Sequence, residues 1–466
     1  MNKRLYAIHG WMGLNLGLLL FVICLSGTIA VLSHEIDWLV TPAMRVTPTD
    51  ERVDWTEMTH SVRQAYPDAE ILGAAAPLGS RFASEFSVRT PGGLRERVYV
   101  DPYSGMVTGR APWFNSQRFF RDFHRRFFIS AWWGIWLVTI FAFVLLASAA
   151  TGLVFHKRWW TKLFVLRLGK GLRVFFSDLH RMTGVWTLLF AVLIGITGGW
   201  YMAELPVNWA GLTKTPDLPR VSKTTLDTYE SGSERLPPQQ WVRIAEQAMP
   251  GLNVRLIGFP TQRDRPAHIT GQASAWLVRD RANQVLVDPF TGEVLFQQRA
   301  EELGGLLRWV HTADELHFGT FGGLTTKLIW FTFGLVLSGL IPIGAYLWVR
   351  RRQQMVDGIQ KRFEKTANGN WDVDRAWQLV ATVQKKGRRN SMVGLLSTFV
   401  IYALAMNATW GALAKQLDDA DRSYGWQAIG APGAIVVYSS FLLLLLVVSV
   451  IWYRWIWNPP LPKLAR

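Results

Sequence analysis

Ser177–Met202 reads SDLHRMTGVWTLLFAVLIGITGGWYM, with a histidine, His180, at its mouth. No charge occurs between Arg181 and Glu204. An apolar run of about 20 residues is what an α-helix needs to cross the hydrocarbon core of a bilayer. Glycines recur along it at Gly184, Gly195, Gly198 and Gly199. The layout stands once before, at Ala7–Leu32, AIHGWMGLNLGLLLFVICLSGTIAVL. His9 precedes Gly27 by 18 residues, and His180 precedes Gly198 by 18. A second correspondence links His124, 28 residues before Gly152 in TGLVFHKRWW, with His311, 28 residues before Gly339 in SGLIPIGAYLW. The chain therefore reads as two copies of one helix–domain–helix unit with histidines at membrane depth.

Composition agrees. Half of the 466 residues are hydrophobic, 24 are Trp, and several long apolar runs make a polytopic membrane protein the expected class. The first run is about 25 residues long and lacks a small-residue cleavage site, so it reads as a retained helix and not as a leader. The single cysteine, Cys24, lies inside it, which excludes a disulfide framework and a Cys-ligated metal or Fe–S cluster. The net charge of +16 gathers in short loops beside helix ends, as the positive-inside rule requires. No basic–aromatic module points to nucleic acid.

The expected boundaries follow from these runs. Transmembrane helix 1 is 1–36, a first soluble domain 50–112, helix 2 124–156, a basic loop 157–177, helix 3 178–203. A second soluble domain is 237–298, helix 4 311–350, a basic segment 351–390, and helices 5 and 6 are 391–413 and 434–457. Each soluble domain opens on an amphipathic helix, at Thr56–Ala65 and in WVRIAEQAM, and continues into strands; AWLVRD is expected to be one of them. Their hairpins VYVDPYSGMV and VLVDPFTGEV are offset by 187 residues, as are His124 and His311. Proline at the second turn position and glycine at the end suit a tight connection. Lys3 and Arg4, the basic loops, and Arg454, Lys463 and Arg466 put both termini in the cytoplasm, leaving both soluble domains outside.

Nine histidines are the candidate chemistry. On this topology His9, His156 and His180 lie near the cytoplasmic face, and His34, His124, His311 and His317 near the outer face. Ionisable groups at membrane depth are costly and are functional candidates by default. Imidazole is the usual axial ligand for a haem held without cysteine. Gly13 and Gly184 each follow a mouth histidine by four residues, on the same helical face, where a flat ring could approach the backbone. Parallel repeats are related by an axis along the membrane normal, so equivalent histidines can face each other across it. His9 and His180 form one such pair, and His124 with a histidine of the second unit forms the other. A lone interfacial histidine more often anchors a helix end, as the tryptophans 132, 133, 159 and 160 do. The matched register with its fourth-position glycine reverses that preference for His9 and His180. His156, beside Lys157, stays an anchor. His34 has no repeat partner but sits at the level a second cofactor would occupy. His60 and His268 read as ordinary surface residues. No dinucleotide fingerprint, zinc motif or nucleophile elbow is present, and no side chain is singled out as catalytic.

At these residues the chain resembles the PepSY-associated transmembrane helix family, whose members include inner-membrane ferric-siderophore reductases. The carriers are HGWMGLNLG, SGT and SHEIDWL in helix 1, DFHRRFF before helix 2, and DLHRMTGVW with ITG in helix 3. LHFGTFGGLTTKLIWFTFGL before helix 4 and the two V-DP-x-[ST]-G-x-V hairpins complete the match, over about residues 1–352. The resemblance implies two small α+β periplasmic PepSY domains on a six-helix bundle. It also implies two b-type haems with bis-histidine iron ligation, bearing on His9, His34, His124, His180 and His317. Repeat register picks His311 as the mate of His124, whereas the motif LHFGTFGG picks His317. A helix break near Asp314 would shift the register and favour His317. The resulting expectation is electron transfer across the bacterial inner membrane. An unidentified cytoplasmic donor would supply His9 and His180, and His124 and His317 would deliver to a periplasmic ferric chelate such as a ferric siderophore. The rival expectation is a non-redox membrane protein whose PepSY domains bind partners or inhibit proteases.

Overall fold

The computed structural model describes residues 3–129, 132–155, 158–213, 217–229, 233–365 and 432–454, with isolated positions between 378 and 407. Helix 5 (391–413), His156 and most of the basic segment 351–390 lie outside the described residues.

The expected first span is not one rod. It comprises α1 (Lys3–Asn15), α2 (Gly17–Val31) and α3 (Ser33–Val40), with a bend of 66° between α1 and α2. The Asn15 side chain turns back onto the carbonyl of Trp11 at 2.8 Å, competing with the helix ladder at the break. Helix 3 divides at the equivalent position, 171 residues on: α7 (Leu172–Trp186) and α8 (Leu188–Trp209) meet at Thr187, whose hydroxyl bonds the carbonyl of Thr183. The second span is likewise preceded by a separate short helix, α5 (Ser116–Arg126), before α6 (Trp132–Phe155). The left-handed backbone of Phe127 ends α5. Helix 4 is split as well, into α11 (Gly305–Phe318) and α12 (Gly323–Lys365), so the span does not begin at 311. The break falls at Gly319, in the left-handed region that glycine enters without steric cost, and not near Asp314.

Among the described residues, four helices are long and apolar enough to cross a membrane: Trp132–Val154, Leu188–Trp209, Gly323–Gln354 and Gly433–Trp452. The bent α1–α2 pair makes a fifth. The last span belongs to α13 (Pro432–Trp452). Inside the bundle α6 packs along α8, and α12 along α2. The short helix α5 drives Phe119, Phe120, Phe123 and Phe127 into the same core as α2, α6 and Phe441 of α13. Its N-terminus is held by Asp37 of α3, whose carboxylate accepts the backbone N–H of Ser116 and of Gln117, both at 2.9 Å. That satisfies two of the donors a helix start leaves free.

The two soluble segments do not fold apart. They contribute four strands each to one antiparallel sheet of order β4-β3-β2-β1-β5-β6-β7-β8. The strands are β1 (Glu70–Ala75), β2 (Ser84–Arg89), β3 (Arg95–Val100), β4 (Val107–Pro112), β5 (Asn253–Gly258), β6 (Ala267–Gln272), β7 (Asn283–Val287) and β8 (Val294–Gln298). The seam pairs Gly73 with Gly258 and Ala74 with Ile257. A side chain at Gly73 would stand 3.0 Å from the carbonyl oxygen of Ile257, so the seam needs glycine there. Helices α4 (Trp55–Ala65) and α10 (Pro238–Ala248) add Met58, Val62, Trp241 and Val242 to a core shared by both halves. AWLVRD is not a strand: Leu277 takes positive φ there, and Ala275 and Val278 pack in a small separate cluster with Ala282 and Ala300. The DP-x-[ST]-G hairpins are turns built twice over. Asp101 Oδ1 accepts the N–H of Tyr103 at 2.9 Å, Asp288 Oδ1 that of Phe290 at 2.8 Å, and Gly105 and Gly292 take positive φ. The motif is therefore structural.

Candidate functional site

The four short helices each carry one histidine, and the fold brings these histidines together in twos. His124 on α5 and His317 on α11 have ring centroids 6.2 Å apart at the sheet end of the bundle. His9 on α1 and His180 on α7 have centroids 6.5 Å apart at the other end. Two imidazoles that ligate one metal from opposite sides, with bonds of about 2 Å, place their centroids about 6.3 Å apart. Both separations match that figure.

Each imidazole is seated against a glycine of a neighbouring helix. A methyl group on Gly27 would stand 2.6 Å from His124 Cε1, and one on Gly198 would stand 3.8 Å from His317 Cε1. One on Gly152 would stand 3.8 Å from His9 Cε1, and one on Gly344 would stand 3.3 Å from His180 Cε1. The hydroxyl or carbonyl beside the glycine then engages Nδ1. His124 Nδ1 lies 2.9 Å from the carbonyl oxygen of Ile23 and 3.5 Å from Ser26 Oγ. His317 Nδ1 lies 2.9 Å from Thr197 Oγ1, and His9 Nδ1 lies 3.1 Å from Thr151 Oγ1. A partner on Nδ1 fixes the tautomer and leaves Nε2 as the metal-binding nitrogen. Ser26-Gly27, Thr151-Gly152 and Thr197-Gly198 are thus one device used three times: a hydroxyl to orient the ring and a glycine to admit it. The spacing of the glycines was visible in the sequence; their Ser and Thr neighbours carried the missed signal.

The depth between the pairs can be read off two helices. On α6, Ala142 faces Gly198, beside His317, while Gly152 faces His9. On α12, Gly334 faces Thr28, beside Gly27 and His124, while Gly344 faces His180. Each interval is ten residues, about 15 Å at 1.5 Å per residue. The two helices agree.

Other histidines stand apart. His311 lies on α11, buried at 9% exposure, and makes no ring contact with His124. The six residues between it and His317 swing the side chain to another face of the helix. Repeat register misled here because the second half carries six more residues than the first between its last strand and its ligand helix. His34 on α3 is surrounded electrostatically by Lys327, Arg97, Arg121 and Arg118 and makes no ring contact with either pair. Its neighbour Glu35 holds Lys327 Nζ at 2.5 Å, tying α3 to α12. His60 is exposed, with Gln64 Nε2 at 2.9 Å. His268 sits within the sheet, not on its surface: burial holds its pKa below the usual value against a 2.8 Å hydrogen bond with Gln284. Gly13 and Gly184, expected to flank a cofactor, face open space: a methyl on either would meet nothing within 4 Å.

The residues present fit a haem at each pair. The donors are paired imidazoles at the spacing of opposed ligands, glycines clear the backbone around them, and open space lies beside the far pair. Beside the sheet-side pair a cavity of about 330 Å³ is lined by His124, His317, Gly27 and Gly198.

Spanning helices beneath a β-sheet, with facing histidine pairs in the bundle, define a membrane protein that carries both helical spans and a β domain. The chain belongs to the PepSY-associated TM region family, whose match covers residues 6–351. It is also 25% identical over 253 residues to an uncharacterized protein of Pseudomonas aeruginosa. That alignment covers 50% of this chain and 63% of the relative, so the chain spans less than two thirds of the relative's length.

Proposed function

We propose that this protein transfers electrons across the bacterial inner membrane to reduce a ferric chelate, such as a ferric siderophore, in the periplasm. The observation that carries the reading is the two facing histidine pairs at two depths, each at the ring separation of opposed metal ligands. His9 with His180 and His124 with His317 would each hold one b-type haem, which supplies a one-electron carrier at that depth. The protein's own part is to orient Nε2 through the Ile23, Thr151 and Thr197 contacts, to keep the pairs about 15 Å apart and to exclude water with apolar walls.

The wider architecture in this reading is a duplicated helix–PepSY–helix unit followed by a helical hairpin, six spans in all, with both termini cytoplasmic. The donor would dock on the basic cytoplasmic face, and the ferric chelate beside the sheet. His34 and His311 have no ligand role in it.

The test is the visible spectrum of purified protein, with the pyridine haemochrome count. Two haems per chain, a b-type spectrum sharpened by dithionite, and reoxidation by a ferric siderophore are expected. Colourless protein expressed under haem-replete conditions would overturn the reading and leave the non-redox PepSY alternative.

A further inference from the structure

The cavity at the sheet-side pair is apolar over most of its wall and basic where it opens. Arg121, Arg125, Arg279 and Arg281 line it, and Arg121, Arg125 and Arg281 are exposed. Arg121 and Arg125 stand one turn apart on the face of α5 that also presents His124. Among the described residues, none of those three has a carboxylate within ion-pair distance. Asp122, next to Arg121, is engaged instead by Arg126 at 3.0 Å. Arg279 is satisfied: its Nε lies 2.5 Å from Asp314, and its guanidinium donates to the carbonyl of Val310. Asp314 in turn accepts the Tyr201 hydroxyl at 2.6 Å. Four arginines thus face two carboxylates in the lining, Asp314 and Glu204, leaving two positive charges in excess.

This excess is not a relic of the repeat. Arg121 stands three residues before His124, and Asp314 stands three residues before His317, so equivalent places carry opposite charges. The second half brings its arginines from the loop that precedes β7 instead. Unpaired charge beside an apolar cavity is costly unless a ligand completes it. A guanidinium fork matches a carboxylate in two parallel hydrogen bonds.

Resting on the two-haem reading, we propose that Arg121, Arg125 and Arg281 form a carboxylate-recognition site at the mouth of this cavity, completed by a ligand that brings two carboxylates. Haem propionates at the sheet-side pair and a carboxylate-bearing ferric chelate share that chemistry, and the experiment separates them.

Full-length protein in detergent is compared with the triple variant Arg121→Gln/Arg125→Gln/Arg281→Gln and with the corresponding triple lysine variant. Haem per chain and the two midpoint potentials are read by spectroelectrochemistry. Binding of ferric citrate and of an uncharged ferric trihydroxamate is read by calorimetry. If propionates are the ligand, the glutamine variant loses the sheet-side haem or shifts its potential negative, leaves the far one unchanged, and is restored by lysine. If the chelate is the ligand, ferric citrate binds roughly tenfold more weakly while trihydroxamate binding and both potentials hold. Unchanged haem content, potentials and citrate binding would overturn the proposal. So would an equal shift at both haems, or a lysine variant that fails as the glutamine one does. Wild-type protein without haem would sink the two-haem reading alone, since the citrate arm still judges the arginines.

Discussion

Gly27→Ala isolates the claim that the sheet-side pair is a ligand site and not a packing contact. The added methyl would stand 2.6 Å from His124 Cε1, 2.9 Å from Nδ1 and 3.1 Å from Nε2. Ordinary carbon contacts settle at about 3.5–4.0 Å, so the imidazole must retreat by about 1 Å. It is pinned by a 2.9 Å contact with the Ile23 carbonyl, whose loss costs about 0.5–1.5 kcal/mol. Overpacking of the helix contact adds about 1–3 kcal/mol. The fold should survive both, whereas a metal–nitrogen bond tolerates only a few tenths of an ångström. The repeat-equivalent change, Gly198→Ala, supplies the control. There the methyl would stand 3.8 Å from His317 Cε1, an ordinary contact, and 3.3 Å from Ala142, which needs a shift of only tenths. Pyridine haemochrome assay of the two variants should therefore give one haem per chain for Gly27→Ala and two for Gly198→Ala. Two haems with an unaltered spectrum in Gly27→Ala would refute the reasoning. Equal loss in both would show that helix packing, and not the imidazole, is what responds.

His317→Ala should lose the sheet-side haem and the reduction of a ferric siderophore by dithionite-loaded vesicles, while His311→Ala keeps both; the reverse result would restore the repeat register as the guide. His9→Ala or His180→Ala should each remove the far haem and leave the sheet-side one, and full haem content in both variants would end the pairing argument. Thr197→Val should keep haem but soften the His317 ligation, because the 2.9 Å partner of Nδ1 is gone. A sheet-side potential identical to wild type in that variant would remove Thr197 from the site. A reporter fused after Gly232 should be periplasmic and one after Asn368 cytoplasmic, and inversion at either site would break the topology.

The sequence determined by itself the features that rest on local periodicity. Uncharged runs of membrane length marked the spans at Leu188–Trp209 and Trp132–Val154, and the 18-residue register singled out His9 and His180 with no structure in hand. Asp and Gly at fixed places in the hairpins implied turns that are there, because an Asx contact and a positive φ are properties of four or five consecutive residues. Only tertiary structure decided where helices break and which histidines meet. Asn15, Thr187, Phe127 and Gly319 interrupt the expected rods, and each break leaves a histidine on a short helix whose direction depends on what it packs against. The choice of His317 over His311 follows from the same cause, since six extra residues before the ligand helix changed its register without changing the motif. The shared sheet was equally hidden. The β1–β5 seam joins residues about 180 apart through backbone hydrogen bonds, which leave no mark on composition beyond the glycines that let the strands close.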